Sequence, residues 1–314
     1  MRSHPFQQVD VFSPQLGMGN ALAVVLDAGD LDEATMQRFA RWTQLSETCF
    51  LLPPTDPQAD YRVRIFTPGG ELPFAGHPTL GSCHAWLASG ATPQRSGLVV
   101  QQCEAGLVQV RTDAAVPGRL AFRAPPSRRS DPDPALLAEV IAALGLAPQS
   151  VRAAQLLDNG PVWLTLLADS AQAVRDLRPD HAAIQNIGSK VAVAHIPPAL
   201  LAINSDSSGV PATGGDPDDA ARAVTVRAFA APIGITEDPV TGSLAASLAQ
   251  WVIGAGIAPA SYVAHQGENV GRAGRIHVAQ EAAAQGTHAD GANPLPVTWI
   301  GGDVVAAIAG TVTL

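Results

Sequence analysis

Two segments of this chain, separated by roughly half its length, follow one plan, and no other feature restricts the possible folds as much. ELPFAGHPTLGSCHAWL (Glu71–Leu87) and TEDPVTGSLAASLAQWV (Thr236–Val252) each open with a short polar, glycine-containing turn and run on into an apolar helix. Side chains able to carry chemistry sit on the turns: His77 in the first, Asp238 and Ser243 in the second. The small residues that follow suit a helix start packed against a close neighbour. A helix N-terminus leaves its first N–H groups unpaired and carries partial positive charge. Two such ends facing each other would make an anion site flanked by acid–base groups.

The stretches leading into the turns are also alike, with VRIFTP before one and VRAFAAP before the other. Both halves alternate β-rich runs with helices. In the first half QQVDVF and ALAVVLDA precede a helix over about Asp32–Thr43. TCFLLPP and YRVRIFTP follow, then a helix from Gly76 to about Leu87, then SGLVVQQCEAG, LVQVRTD and RLAFRAP. The second half has a helix near Ala135–Leu144, the runs VRAAQLL and VWLTLLAD, helices around Ala171–Leu177 and His181–Ile187, and KVAVAHI. The matching order suggests an internal repeat in which a mixed sheet wraps a central helix. The proline-rich Ala124–Pro134 reads as a linker. Asn204–Ala220 and Gln280–Pro294 read as mobile surface insertions. The tail PVTWIGGDVVAAIAGTVTL reads as two strands around Gly301-Gly302.

With 314 residues, 46% of them apolar, the chain can bury a core in each of two domains. Its net charge is −9, Lys190 is its only lysine, and no basic cluster is interleaved with aromatics, so nucleic acid is not an expected partner. The start MRSHPFQQVDVF has no apolar run of signal-peptide length, and no stretch approaches about 18 uninterrupted apolar residues. The expectation is a soluble cytoplasmic protein with no membrane partner. Cys49, Cys83 and Cys103 have no CxxC spacing and read as buried thiols, Cys49 being nearest to chemistry because it follows Ser46-Glu47-Thr48. The histidines are scattered without ligand spacing, so no metal is expected.

Glu47 stands between an amphipathic helix and a strongly apolar strand. It is either a desolvated carboxylate raised toward the range of proton transfer or a surface residue that opens a strand. His77, between Gly76 and Pro78, would lie beside the positive end of a helix, which favours the neutral ring; a capping role is the alternative. Asp238 could accept a proton or cap the second helix, while the N–H groups of Gly242 and Ser243 would point at whatever fills the cleft. VTGSLAA is not GxSxG, which disfavours a serine nucleophile. HQGENVGRAGRIHV could present amides and Arg272 or Arg275 to an anion but lacks both common nucleotide-binding fingerprints.

In order, the segments GNALAVVLDA, LSETCFLLPP, VRIFTPGGELPFAGHPTLGSCHAW, GITEDPVTGSLAASLAQW and HQGENVGRAGRIHV resemble the phenazine-biosynthesis PhzF-like isomerase family over nearly the whole chain. The resemblance implies the diaminopimelate epimerase-like fold, an α/β (α+β) architecture of two pseudo-symmetric domains, each a mixed barrel-like sheet around a central helix, with the active site between them. The implied domains are 1–124 plus about 295–314, and 125–294. By motif, Glu47 matches the glutamate that moves a proton between substrate carbons, and His77, Asp238 and Ser243 match the other catalytic positions. Gly19 and Asn20, with the N–H groups of Gly76, His77, Gly242 and Ser243, would hold a substrate carboxylate. The family implies a small-molecule carboxylate substrate, no cofactor and a homodimer.

Epimerases of the fold use two opposed cysteines, at positions matched here to Ala75 and Asp238, so thiol-based racemisation is not expected. The implied reaction is cofactor-independent isomerisation of a double bond in a small cyclic or amino-acid-like carboxylate. The family's prototype substrate is trans-2,3-dihydro-3-hydroxyanthranilate. A carboxylate-based epimerase or a non-catalytic binding protein are the alternatives. Specificity would rest on loops around the cleft, including Asp158-Asn159-Gly160 and the insertion at Asn204–Ala220.

Overall fold

Strands that bury every other residue and two helices buried on nearly all sides set the architecture. The computed structural model describes residues 1–112, 116, 118–205, 222–282 and 296–314. The first half contains β1 (Ser3–Val11), β2 (Asn20–Val25), α1 (Glu33–Thr43), β3 (Thr48–Leu52), β4 (Tyr61–Phe66), β5 (Glu71–Leu72), α2 (Gly76–Ala88), β6 (Leu98–Cys103), β7 (Gly106–Thr112) and β8 (Arg119–Arg123). The second contains β9 (Arg128–Ser130), α3 (Pro134–Leu144), β10 (Val151–Asp158), β11 (Val162–Ala168), α4 (Ala171–Arg175), α5 (His181–Ile187), β12 (Lys190–His195), β13 (Val224–Ala230), β14 (Ile235–Asp238), α6 (Gly242–Gly254), β15 (Ser261–Gln266), β16 (Gly274–Glu281) and β17 (Val297–Thr313).

Pairing of β1 with β2, β2 with β3, β3 with β4, β4 with β6, β6 with β7, β7 with β8, β8 with β17 and β17 with β1 closes an eight-stranded barrel. Its axis is α2, which packs on β1, β2, β3, β6, β7, β8 and β17. A helix enclosed this way cannot be amphipathic, and Gly76 to Cys83 of α2 are all buried. A Cβ on Gly81 would stand 2.5 Å from the Leu22 side chain. Outside the barrel, α1 lays Met36, Phe39 and Ala40 on Phe50 and Phe66. It begins where Asp32 accepts the Thr35 N–H and ends at Gln44 in the left-handed region.

In the second half the strand order is β9–β10–β11–β12–β13–β15–β16–β17, with β14 beside β13. This sheet wraps α6, and α3, α4 and α5 cover its outer face through a separate apolar layer that includes Leu144, Leu164, Leu166 and Ile184. The larger core cluster runs through both halves without a break, from Val9 and Leu80 to Leu244 and Ile276. Within Ala124–Pro134, expected as linker, Arg128–Ser130 is already strand β9, paired with β10.

Three pairings share β17: Val297–Gly301 with β16, Trp299–Asp303 with β8, and Val304–Thr313 with β1. The expected break at Gly301-Gly302 is therefore corrected to one continuous strand. Glycine serves there for close approach. A Cβ on Gly302 would stand 2.4 Å from the ring of Phe12, which is itself held at φ 69°. The expected insertions at 204–220 and 280–294 lie mostly outside the described residues, although residues 280 and 281 belong to β16. No helix among the described residues is long and apolar enough to cross a membrane.

The repeat extends to side chains. Arg64 of β4 and Arg227 of β13 occupy matching places in VRIF and VRAF, each with its guanidinium over the phenylalanine two residues on, at 5.0 and 5.1 Å. Each also clamps the glutamate that opens the following turn. Arg64 reaches Glu71 with Nε at 2.7 Å and a second bond from Nη2, and Arg227 reaches Glu237 at 2.9 and 2.7 Å. Such two-point bonds fix orientation as well as distance, so the strand positions the turn.

Candidate active site

The two turns meet. α2 and α6 approach N-terminus to N-terminus so closely that a Cβ on Gly76 would stand 2.7 Å from Cα of Gly242. Only glycine at both positions permits this contact, which explains the GH and GS openings of the helices. The first-turn N–H groups at Gly76, His77, Gly242 and Ser243 have no carbonyl within their own helices to accept them. All four residues line one cleft of about 170 Å³, together with Glu47, Asp238, Thr241, Trp163, Lys190 and apolar groups such as Phe74, Ile233 and Ile235. Paired helix ends of this kind suit a carboxylate.

Glu47, on the loop entering β3, is 8% exposed, so it is not a surface residue opening a strand. Burial pushes its carboxyl up to about 7, against the lowering effects of a bond from Ser46 and the positive charge of Lys190. His77 is buried beside it, with Nε2 of the ring 3.2 Å from Oε2 of Glu47. Burial lowers the imidazole to about 4, so the ring is neutral at pH 7. Asp238, raised to about 6 by burial and by Glu47, completes the cluster.

Asn20 stands between His77 and Asp238. Its amide nitrogen lies 2.9 Å from Oδ1 of Asp238, 3.0 Å from the Val240 carbonyl and 3.3 Å from Nδ1 of His77. An amide N–H₂ carries two hydrogens and accepts none, and the two shorter contacts use them; the Nδ1 it faces is better left without a proton, which favours the tautomer with the ring proton on Nε2. Neither Nε2 nor Oε2 has a hydrogen-bond partner among the described residues. An incoming group can therefore bond to both.

Asp238 is held on both oxygens. Oδ1 accepts from Asn20, and Oδ2 accepts from the Thr241 hydroxyl at 2.7 Å. Gln266 braces this turn through the Thr241 N–H, the Thr241 hydroxyl and the Asp238 carbonyl. Ala75 precedes Gly76 as the N-cap of α2, and the residue in that place on α6 is Thr241.

Gly19 and Asn20, expected to help hold a carboxylate, are not among the residues that line this cleft. The Gly19 N–H donates to Asp10 at 3.0 Å, and the Asn20 amide lies behind His77 and Asp238, joining them. The Gly/Arg-rich run reaches the site only through Gln266, while Arg272 donates to the Gly17 carbonyl at 2.8 Å. Cys49, Cys83 and Cys103 are buried and free, and burial pushes the thiols up and away from the reactive thiolate. Sequence reasoning missed Thr241, Gln266, Trp163 and Lys190 as parts of the site. For Lys190 a signal was present, since a chain with one lysine places it in the cleft.

A family model described as phenazine biosynthesis-like protein matches residues 9–298. Antisense-enhancing sequence 1 of Schizosaccharomyces pombe is 35% identical over 257 residues, covering 80% of this chain and 81% of its own. The trans-2,3-dihydro-3-hydroxyanthranilate isomerase of Pseudomonas aeruginosa is 32% identical over 287 residues, covering 90% and 92%. A PhzF-family protein from Bacillus anthracis superposes over 100% of both chains with a TM-score of 0.78 at 19% identity, a likeness of fold.

Proposed function

The chain belongs to the family of phenazine biosynthesis-like proteins and is an isomerase, and from that premise we propose that it moves a proton between carbons of a small, cyclic or amino-acid-like carboxylate. The observation that carries this reading is Glu47, a buried carboxyl near pKa 7 in a cleft that also holds two helix N-termini. A proton carrier works best when its pKa lies near the working pH, because it then both takes and returns the proton readily. Glu47 removes a proton from the carbon activated by the carboxylate and delivers it to a second carbon, shifting the double bond. The paired helix ends bind the carboxylate and the negative charge that builds on it. His77, donating from Nε2, steadies Glu47 or the substrate group beside it. No cofactor enters the reaction.

Epimerisation by Glu47 and Asp238 as opposed bases is the second reading, since both carboxyl groups line the cleft. It is weaker because both oxygens of Asp238 already accept hydrogen bonds from Asn20 and Thr241. The test is turnover in D₂O followed by NMR. The compound named in the Pseudomonas aeruginosa relative is the first substrate to try, and other small unsaturated carboxylates follow. A shifted double bond, lost in Glu47→Gln with the fold intact, supports the proposal. Near wild-type turnover by Glu47→Gln sinks it, and deuterium entry with inversion at one carbon selects the epimerase.

A further inference from the structure

The cleft has a second polar pole that proton transfer does not use. Trp163 and Lys190 are register partners on the parallel strands β11 and β12. Residues so paired project from the same face of a sheet. That face is the one turned toward α6: Trp163, Leu167, Ala192 and Ala194 join the core that runs through both halves, while Leu164, Leu166, Val191 and Val193 pack beneath the outer helices.

Both residues line the cleft. Trp163 is 3% exposed, yet its indole Nε1 has no hydrogen-bond partner among the described residues. The ammonium of Lys190 lies 5.8 Å from the centre of the Trp163 ring, and among the described residues it makes no hydrogen bond or ion pair. Glu47 and Asp238 act on it only at longer range. An indole N–H and an ammonium can donate but not accept. Leaving such groups partly or wholly buried and unmatched is costly, so their natural complement is an acceptor carried by a ligand.

We propose that Lys190 and Trp163 form a second anion-binding pole of the cleft, so that the substrate is a small dianion. One carboxylate sits at the paired helix starts and a second acidic substituent sits at Lys190. A cavity of about 170 Å³ restricts the body between them to about one ring, since a cavity of about 150 Å³ encloses benzene. The inference rests on the reading above only in placing the first carboxylate.

Calorimetric titration of the full chain at pH 8 with benzoate, phthalate, isophthalate and terephthalate tests it without knowledge of the substrate. At least one dicarboxylate is expected to bind about tenfold more tightly than benzoate, the gain of one charge-assisted bond. Lys190→Met should erase that gain, read as the ratio of dicarboxylate to benzoate affinity, and Trp163→Phe, which removes the N–H donor and keeps an aromatic ring, should erase part of it. Dicarboxylates no tighter than benzoate on the wild-type chain overturn the second pole and leave the first standing. The same conclusion follows if Lys190→Met leaves the ratio of dicarboxylate to benzoate affinity unchanged. Failure of benzoate itself to bind overturns both.

Discussion

At the scale of single residues, the site depends on where protons rest. Glu47 holds its proton to about pH 7 in the folded chain against an ordinary 4.5, because burial penalises the anion. The folded state thus binds more protons than the unfolded one between those values. The stability this contributes is fully present below pH 4.5 and is lost as pH rises through 7. Glu47→Gln cannot ionise, so it should gain on the wild type by on the order of 3 kcal/mol between pH 4.5 and 8. Denaturant melts at several pH values check this, and a difference that does not change with pH would contradict a buried Glu47. Asn20 makes a second case. Asn20→Asp would set a carboxylate against Asp238 and against Nδ1 of His77, raising the imidazole pKa, visible by NMR, and lowering kcat by roughly a hundredfold. Unchanged NMR titration and kcat would remove Asn20 from its positioning role. Glu47, His77 and Asp238 were legible in the sequence because each lies in a short contiguous motif. Lys190 and Trp163 were not, because parallel pairing of two strands brings them together and no local pattern announces it.

At the scale of elements, helix ends were readable and strand continuity was not. Asp32 and Asp133 cap their helices by accepting N–H groups, a local bond that leaves a local sign in the sequence. Gly301-Gly302 carries the sign of a turn, yet its glycines make room for Phe12 and for the backbone of β8, a demand set by distant residues. The pair of arginine clamps shows repeated elements under different strain. The side chains of Arg227 and Glu237 are each 7% exposed, whereas Glu71, the partner of Arg64, is 25% exposed. Removing one partner of a buried pair strands the other charge, so Arg227→Ala should cost about 3–5 kcal/mol. Arg64→Ala leaves Glu71 within reach of water and should cost no more than about 1 kcal/mol through the ion pair. Chemical denaturation of both variants measures the contrast, and equal losses would show that the two clamps bear equal load.

At the scale of the whole molecule, one strand belongs to the barrel and to the second sheet, and one core runs through both halves. The halves should then unfold together, with calorimetric and van't Hoff enthalpies in agreement. Removing residues 304–314 should collapse this behaviour by opening the β1–β17 seam, and two resolved transitions in the intact chain would show the halves to be independent. The pseudo-symmetric plan was readable from the paired turns, but the sharing of β17 was not, since hydrophobic pattern does not say which neighbour a strand will choose. The shared strand also dictates an order of events in the cell. While the ribosome is still making the second half, the first half holds a sheet with an open seam between β1 and β8, waiting for residues that have not been synthesised. The nascent chain must keep that seam from pairing with other chains until β17 emerges, so the first barrel closes only after the second half has been made.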